Sequence, residues 1–297
     1  MKDQLLRGLV QPGDLRVLLV EATDLARMAR TLHGLAPTSA AILAEALTAG
    51  LLLGALQKER TRVNLALEVD GPISGLLVDA DTDGNVRGRV RRPDVHFPGD
   101  PSVGPRAALG GSGTLSVLRD LGRGEFYRGS VEFLPGTLTD NLRRYFTASE
   151  QVATALDVRV LADGSEPLGT VAGIVVQKMP EGSLEALEAV RARIDAGAFA
   201  EALRRGESDE TLVRSVAGEG LSVLSRAPLG YVCNCSRERA VNAVSALGPD
   251  GIRTVLAEDG QVVIDCEFCR KRWVIGPEEL SEMARRLEGG VPGGARA

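Results

Sequence analysis

Along this chain the period of the apolar positions changes several times. Val63-Asn64-Leu65-Ala66-Leu67-Glu68-Val69 alternates at period two, which predicts a half-buried strand. Asp70-Gly71-Pro72 punctuates it. A second strand follows at Leu76–Ala80, and the turn Asp81-Thr82-Asp83-Gly84-Asn85 leads into a third at Val86–Val90. This meander predicts an antiparallel sheet, with further strands at Gly113–Leu118, Gly129–Leu134, Leu156–Leu161 and Val171–Gln177. Ala36 to Gln57 opens on Pro37-Thr38 and is dense in Ala and Leu, as a largely buried helix is. Thr137-Leu138-Thr139-Asp140 opens another helix, with Leu138, Leu142, Tyr145 and Phe146 on one face.

Beyond Pro180 the pattern thins. Ser183 reads as an N-cap, and Leu184, Leu187, Val190 and Ile194 recur at helical spacing. Glycines at 197, 206, 218 and 220 interrupt the stretch, and nine acidic and six basic side chains crowd residues 181–229. Such helices are marginal alone and depend on packing against a neighbour. The chain therefore reads as α+β. It has an N-terminal mixed sheet-and-helix domain (1–180), a helical linker (181–229), a small C-terminal cysteine module (230–290) and a flexible tail (291–297), the last stretch being Gly- and Pro-rich from Gly289. No internal repeat is present.

Composition narrows the classes. With 297 residues, 44% hydrophobic and 25% charged, the chain can bury a sizeable core, which excludes disordered, collagen-like and disulfide-scaffold proteins. A net charge of −5, a pI near 5.3 and 3% aromatics argue against binding to nucleic acid or an anionic membrane. Met1-Lys2-Asp3-Gln4 lacks the order of a signal peptide. The most apolar stretch, Ala40 to Leu56, is interrupted by Glu45 and reads as too short to span a bilayer. The expectation is a cytoplasmic protein with reduced thiols.

The scarce residues carry the chemistry. There are two histidines, His33 and His96, and neither has a partner in a nucleophile motif. Gly110-Gly111-Ser112-Gly113-Thr114 lacks the Lys-Ser/Thr ending of a phosphate loop and reads as a turn before a strand. Asp79, Asp81 and Asp83 lack EF-hand spacing and read as a polar turn. Arg270-Lys271-Arg272-Trp273 reads as a solvated edge rather than a nucleic-acid contact.

All four cysteines fall late, as Cys233-Asn234-Cys235, 30 intervening residues, and Cys266-Glu267-Phe268-Cys269. Two short pairs at that separation match a four-thiolate zinc site, which is closed and leaves no position for substrate or water. Arg237, Arg239, Arg270, Lys271 and Arg272 are expected to ease the thiols towards thiolate. A disulfide between residues two apart is strained, whereas C-x-x-C closes easily, so an oxidant is expected to reach Cys266 and Cys269 first. Losing the metal removes on the order of 10 kcal/mol of folding free energy from this small module, which then unfolds. Three readings stay open at this point: a redox-gated binding protein without turnover, a zinc-module adaptor or nucleic-acid binder, and a thiol–disulfide oxidoreductase. The last lacks a thioredoxin-like setting, because the C-x-x-C follows the strand-like Val262–Ile264.

The run Cys233-Asn234-Cys235-Ser236-Arg237-Glu238-Arg239, with Cys266-Glu267-Phe268-Cys269 downstream, resembles the 33-kDa heat-shock protein family of redox-regulated holdase chaperones. Gly71-Pro72-Ile73-Ser74-Gly75, Val86-Arg87-Gly88, Tyr145 to Gln151 and Gly173 to Pro180 resemble its N-terminal signatures in the same order. Ile275 departs from the aromatic expected after Trp273. The resemblance implies a chaperone, not an enzyme, that binds one Zn2+ through Cys233, Cys235, Cys266 and Cys269 when reduced. It further implies that oxidation forms Cys233–Cys235 and Cys266–Cys269, releases zinc, unfolds the linker and allows a homodimer. That form would hold unfolding client proteins without ATP until ATP-dependent foldase chaperones take them. On this view Leu184, Leu187, Val190, Ile194, Phe199 and Leu203 lie on the N-terminal domain in the reduced state.

Overall fold

A computed structural model describes residues 3–57, 61–99, 103–120 and 124–288. Two compact units emerge, Met1–Val232 and Cys233–Ala297.

The first unit begins with a hairpin, β1 (Gln4–Val10) and β2 (Leu15–Glu21), followed by α1 (Thr23–His33) and α2 (Pro37–Ala55). A meander of β3 (Arg62–Val69), β4 (Gly75–Asp81) and β5 (Asn85–Val90) leads to α3 (Val103–Leu109), β6 (Gly113–Asp120) and β7 (Phe126–Phe133). Then come α4 (Leu138–Tyr145), a π-helical turn at Phe146–Glu150, β8 (Thr154–Asp163) and β9 (Glu166–Lys178). Three helices, α5 (Leu184–Asp195), α6 (Ala198–Arg204) and α7 (Asp209–Ala217), precede β10 (Leu221–Pro228) and β11 (Gly230–Tyr231). One sheet has the order β10-β1-β2-β9-β8 and the other β11-β5-β4-β3-β6-β7. All pairings are antiparallel except β11 with β5.

Helix α2 is the centre of the main core, packed among Leu5, Leu18, Val20 and Val175 of one sheet and Val63, Leu65, Val78 and Val117 of the other. Every residue of α2 except Pro37 and Ala41 is buried, which explains an apolar character all round the helix. By length and composition it is long enough to cross a membrane, contrary to the reading of the sequence. Its placement settles the matter, since 94% of the apolar window is buried inside the protein. Thr137 caps α4 as expected, its hydroxyl accepting from Asp140 N–H while the Asp140 carboxylate accepts from Thr137 N–H.

The five-stranded sheet is buried on both faces. Leu6, Val10, Leu15, Val17, Leu19, Ala172, Ile174 and Val176 face away from α2 and pack with α5–α7. Leu187, Val190, Ile194, Phe199 and Leu203 are all buried in this second core. Leu184 is not, being 54% exposed. As the first residue after the Ser183 cap it sits about 90° around the helix from the stripe formed by Leu187, Val190 and Ile194. The segment is helical only as far as Ala217. Leu221–Pro228 is a strand that pairs with β1.

The β1–β2 turn holds both ends of this helical segment. Ser183 N–H donates to Gly13 O (2.9 Å) and Met179 N–H to Asp14 O (3.0 Å), while Gln11 N–H donates to Gly220 O (3.1 Å). Gly220 has φ +92°, and a Cβ there would overlap the Gln11 carbonyl, so only glycine fits.

The second unit contains α8 (Arg237–Ser245), α9 (Gly248–Glu258), the hairpin β12 (Val262–Asp265) and β13 (Arg272–Ile275), and α10 (Pro277–Glu288). Its small core comprises Val244, Ile252, Ile275, Leu280, Met283 and Ala284. Ile275, the departure noted above, is fully buried there. The Gly-Pro tail from Gly289 lies outside the described residues.

Candidate metal centre

The four cysteines converge. Cys233 and Cys235 lie on the irregular segment between β11 and α8, just before Ser236, whose hydroxyl caps α8 by accepting from Arg239 N–H at 3.2 Å. Cys266 follows β12 and Cys269 precedes β13. Their turn is closed by Arg270 N–H to Cys266 O (2.8 Å) and Cys266 N–H to Lys271 O (2.9 Å), with Arg270 left-handed at φ +57°. The Sγ atoms of Cys233 and Cys266 are 3.7 Å apart and those of Cys235 and Cys269 are 3.2 Å apart. All four sulfurs fall within 4.8 Å of one another and all are half-buried. A tetrahedron with sulfur arms of about 2.3 Å has edges of about 3.8 Å, so the cluster has the size of a metal–thiolate site. Among the described residues it is the only such group of potential ligands.

The electrostatics differ from the expectation that basic neighbours favour thiolates. Burial, then the adjacent thiols, pushes the Cys235 thiol well up, and burial likewise raises Cys269. Arg237, Arg239 and Arg272 are engaged with other groups. Arg237 makes two 2.7 Å contacts to Glu279, Arg272 binds Asp265 at 2.7 and 2.8 Å, and Arg239 donates to Asn234 O. Lys271 Nζ lies over the Trp273 ring, 5.6 Å from its centroid. Four soft sulfur donors suit a thiophilic metal ion, which would itself supply positive charge. The set is closed, leaving no open coordination position.

The other candidates serve the fold. The Asp70 carboxylate accepts from Ser112 N–H, Gly111 N–H and Ser112 Oγ, which together hold it below the usual carboxylate range, so the glycine run is a turn. Asp81 accepts from the amides of Asp83 and Asn85 and closes its own turn, while Asp79 pairs with Arg87 at 2.7 Å. His96 is exposed. His33 is buried and meets Tyr231, a residue the sequence did not single out. No periodicity or motif could have marked that contact, which joins residues 198 positions apart.

Comparison with known proteins agrees with this geometry. The family model described as Hsp33 protein matches residues 3–276. The "33 kDa chaperonin" of Bacillus subtilis (strain 168) is 33% identical, the alignment covering 94% of this chain and 97% of that protein. The "33 kDa chaperonin" of Desulforamulus reducens is 31% identical over 97% of this chain and 99% of its own length. A crystal structure of a 33 kDa chaperonin (heat shock protein 33 homolog) from Thermotoga maritima matches with a TM-score of 0.88 at 26% identity, covering 97% of this chain and 100% of that one. These relatives carry the name of a chaperone, not of an enzyme. Family model, sequence and fold coincide over nearly the whole length, and the chain belongs to the Hsp33 family.

Proposed function

We propose that this protein is a redox-regulated, ATP-independent chaperone of the cytoplasm that holds unfolding client proteins. In the reduced state Cys233, Cys235, Cys266 and Cys269 would hold one Zn2+, which supplies the charge that keeps four thiolates together. An oxidant such as peroxide takes four electrons from the four thiolates, leaving the disulfides Cys233–Cys235 and Cys266–Cys269 and no ligand for the ion. The module core is only a handful of aliphatic side chains, so its folding rests on the metal. Unfolding then passes to α5–α7, uncovering the apolar face of the five-stranded sheet for clients and for a second copy of the chain, before ATP-dependent foldases take over. Neither nucleic acid nor membrane has a place in this reading.

The observation that carries it is the convergence of all four cysteines within 4.8 Å in an otherwise cysteine-free chain. The test is metal content and thiol count before and after peroxide at elevated temperature, with aggregation of a thermally unfolding client followed in parallel. The expected result is one zinc and four thiols lost as aggregation is suppressed without ATP. Zinc retained, with no change in activity on oxidation, would reduce the site to a structural one.

A further inference from the structure

One arginine brackets Cys235. Its backbone N–H donates to Ser236 Oγ (3.2 Å), and its guanidinium folds back so that Nη1 donates to Asn234 O at 3.1 Å. Arg239 thus holds the chain on both sides of that cysteine. Arg237 and Arg272 are committed to Glu279 and Asp265, away from the Cys233–Cys235 backbone.

A disulfide needs its two Cβ atoms about 3.5–4.5 Å apart. With a single residue between the cysteines, the intervening peptide has to turn to bring them there. Asn234 O belongs to that peptide, so a turn there works against its hydrogen bond to Arg239. We propose that Arg239 is a positioning residue that slows closure of Cys233–Cys235 and so sets the order in which the two cysteine pairs oxidise. This rests on the redox reading above. In the step concerned, one thiolate of the pair attacks hydrogen peroxide, the O–O bond breaks, and a sulfenic acid and hydroxide result. The second thiolate attacks the sulfenic sulfur, the S–S bond forms and a second hydroxide leaves. Two protons from solvent convert both hydroxides to water, so two electrons have passed from the sulfurs to peroxide. Only the second attack requires the peptide to turn.

The experiment uses the full-length, reduced, zinc-loaded chain, treated with peroxide, with each pair followed by time-resolved differential alkylation and mass spectrometry. Arg239→Ala is expected to form Cys233–Cys235 about three- to ten-fold faster, the weight of one hydrogen bond, with Cys266–Cys269 unchanged. Arg239→Lys, which keeps a donor, is expected to move back towards the wild-type rate. Arg237→Ala, which breaks the Glu279 contact between α8 and α10, is the control for general loosening and is expected to speed both pairs together. If Arg239→Ala speeds both pairs equally, or neither, the positioning role is overturned. If the wild type keeps its metal and never forms Cys233–Cys235, the redox reading itself fails and takes the proposal with it.

Discussion

His33 Nε2 lies 2.9 Å from the Tyr231 hydroxyl, and that hydroxyl donates to Gly88 O, also at 2.9 Å. The phenol has one proton and gives it to the carbonyl, so the imidazole donates through Nε2. The contact anchors β11, which pairs with β5 two positions before the first cysteine. Tyr231→Phe removes these two hydrogen bonds and the longer one that the hydroxyl accepts from Gly88 N–H at 3.3 Å, and is expected to weaken the anchor by about 1–3 kcal/mol. Hydrogen exchange at the amides of Gly230 and Val232, which bond to Gly84 O and Val86 O, is expected to rise. Unchanged protection at both amides would show that strand pairing alone holds this segment.

Phe199 is fully buried between α6 and the five-stranded sheet. Phe199→Ala is expected to cost about 3–5 kcal/mol of packing and to raise hydrogen exchange across 184–217. On the proposed function, the reduced variant should also suppress client aggregation. Leu184→Ala, at a largely exposed site, is expected to do neither.

Gly220→Ala introduces a Cβ where the Gln11 carbonyl already lies, at a φ that disfavours any other residue. The expected consequence is loss of the Gln11 N–H to Gly220 O bond and a lower unfolding temperature. An unchanged melting curve would mean that the turn relaxes freely.

Glu45 is 8% exposed in the middle of α2, accepting from Thr139 N–H and Oγ. Burial raises its pKa above the ordinary 4.5, with the two Thr139 bonds opposing the shift in part. The folded state therefore holds this proton more tightly than the unfolded chain. Its stabilising contribution is full below 4.5 and is lost as pH rises through the folded pKa. Glu45→Gln keeps an acceptor for Thr139 and is expected to remove that decline. Urea midpoints from pH 4 to 7 for the two proteins would show it, and parallel curves would contradict it.

Trp273, the chain's single tryptophan, is 8% exposed in the cysteine module. Chelation of a bound metal, or Cys269→Ser, is expected to shift its emission to the red as the module core opens. Emission that stays blue under a strong chelator would show that the core stands without a metal.

Much of this was legible in the sequence, and the gaps have physical causes. The Thr137–Asp140 capping box and the period-two strand at Val63–Val69 are local signals, and both elements are present. Strands β1 and β2 escaped because their sheet is covered on both faces. Leu15–Glu21 is therefore almost continuously apolar and shows no alternation. Strand β10 escaped for the opposite reason, being an edge strand with mostly exposed positions. At the site, the cysteine spacing announced the cluster. The arginine partners did not show, because Glu279 lies 42 residues from Arg237.

The turn that grips Ser183 and Gly220 gives the helical segment between them the topology of a loop with both feet on one stone. Undocked, it would remain tethered at its base, with its ends already where the folded form needs them. Returning is then a unimolecular closure, with most of the entropy of bringing the ends together already spent. The same fold would make release repeatable: a segment that comes off as a loop can go back on at a rate independent of protein concentration, without searching for its place.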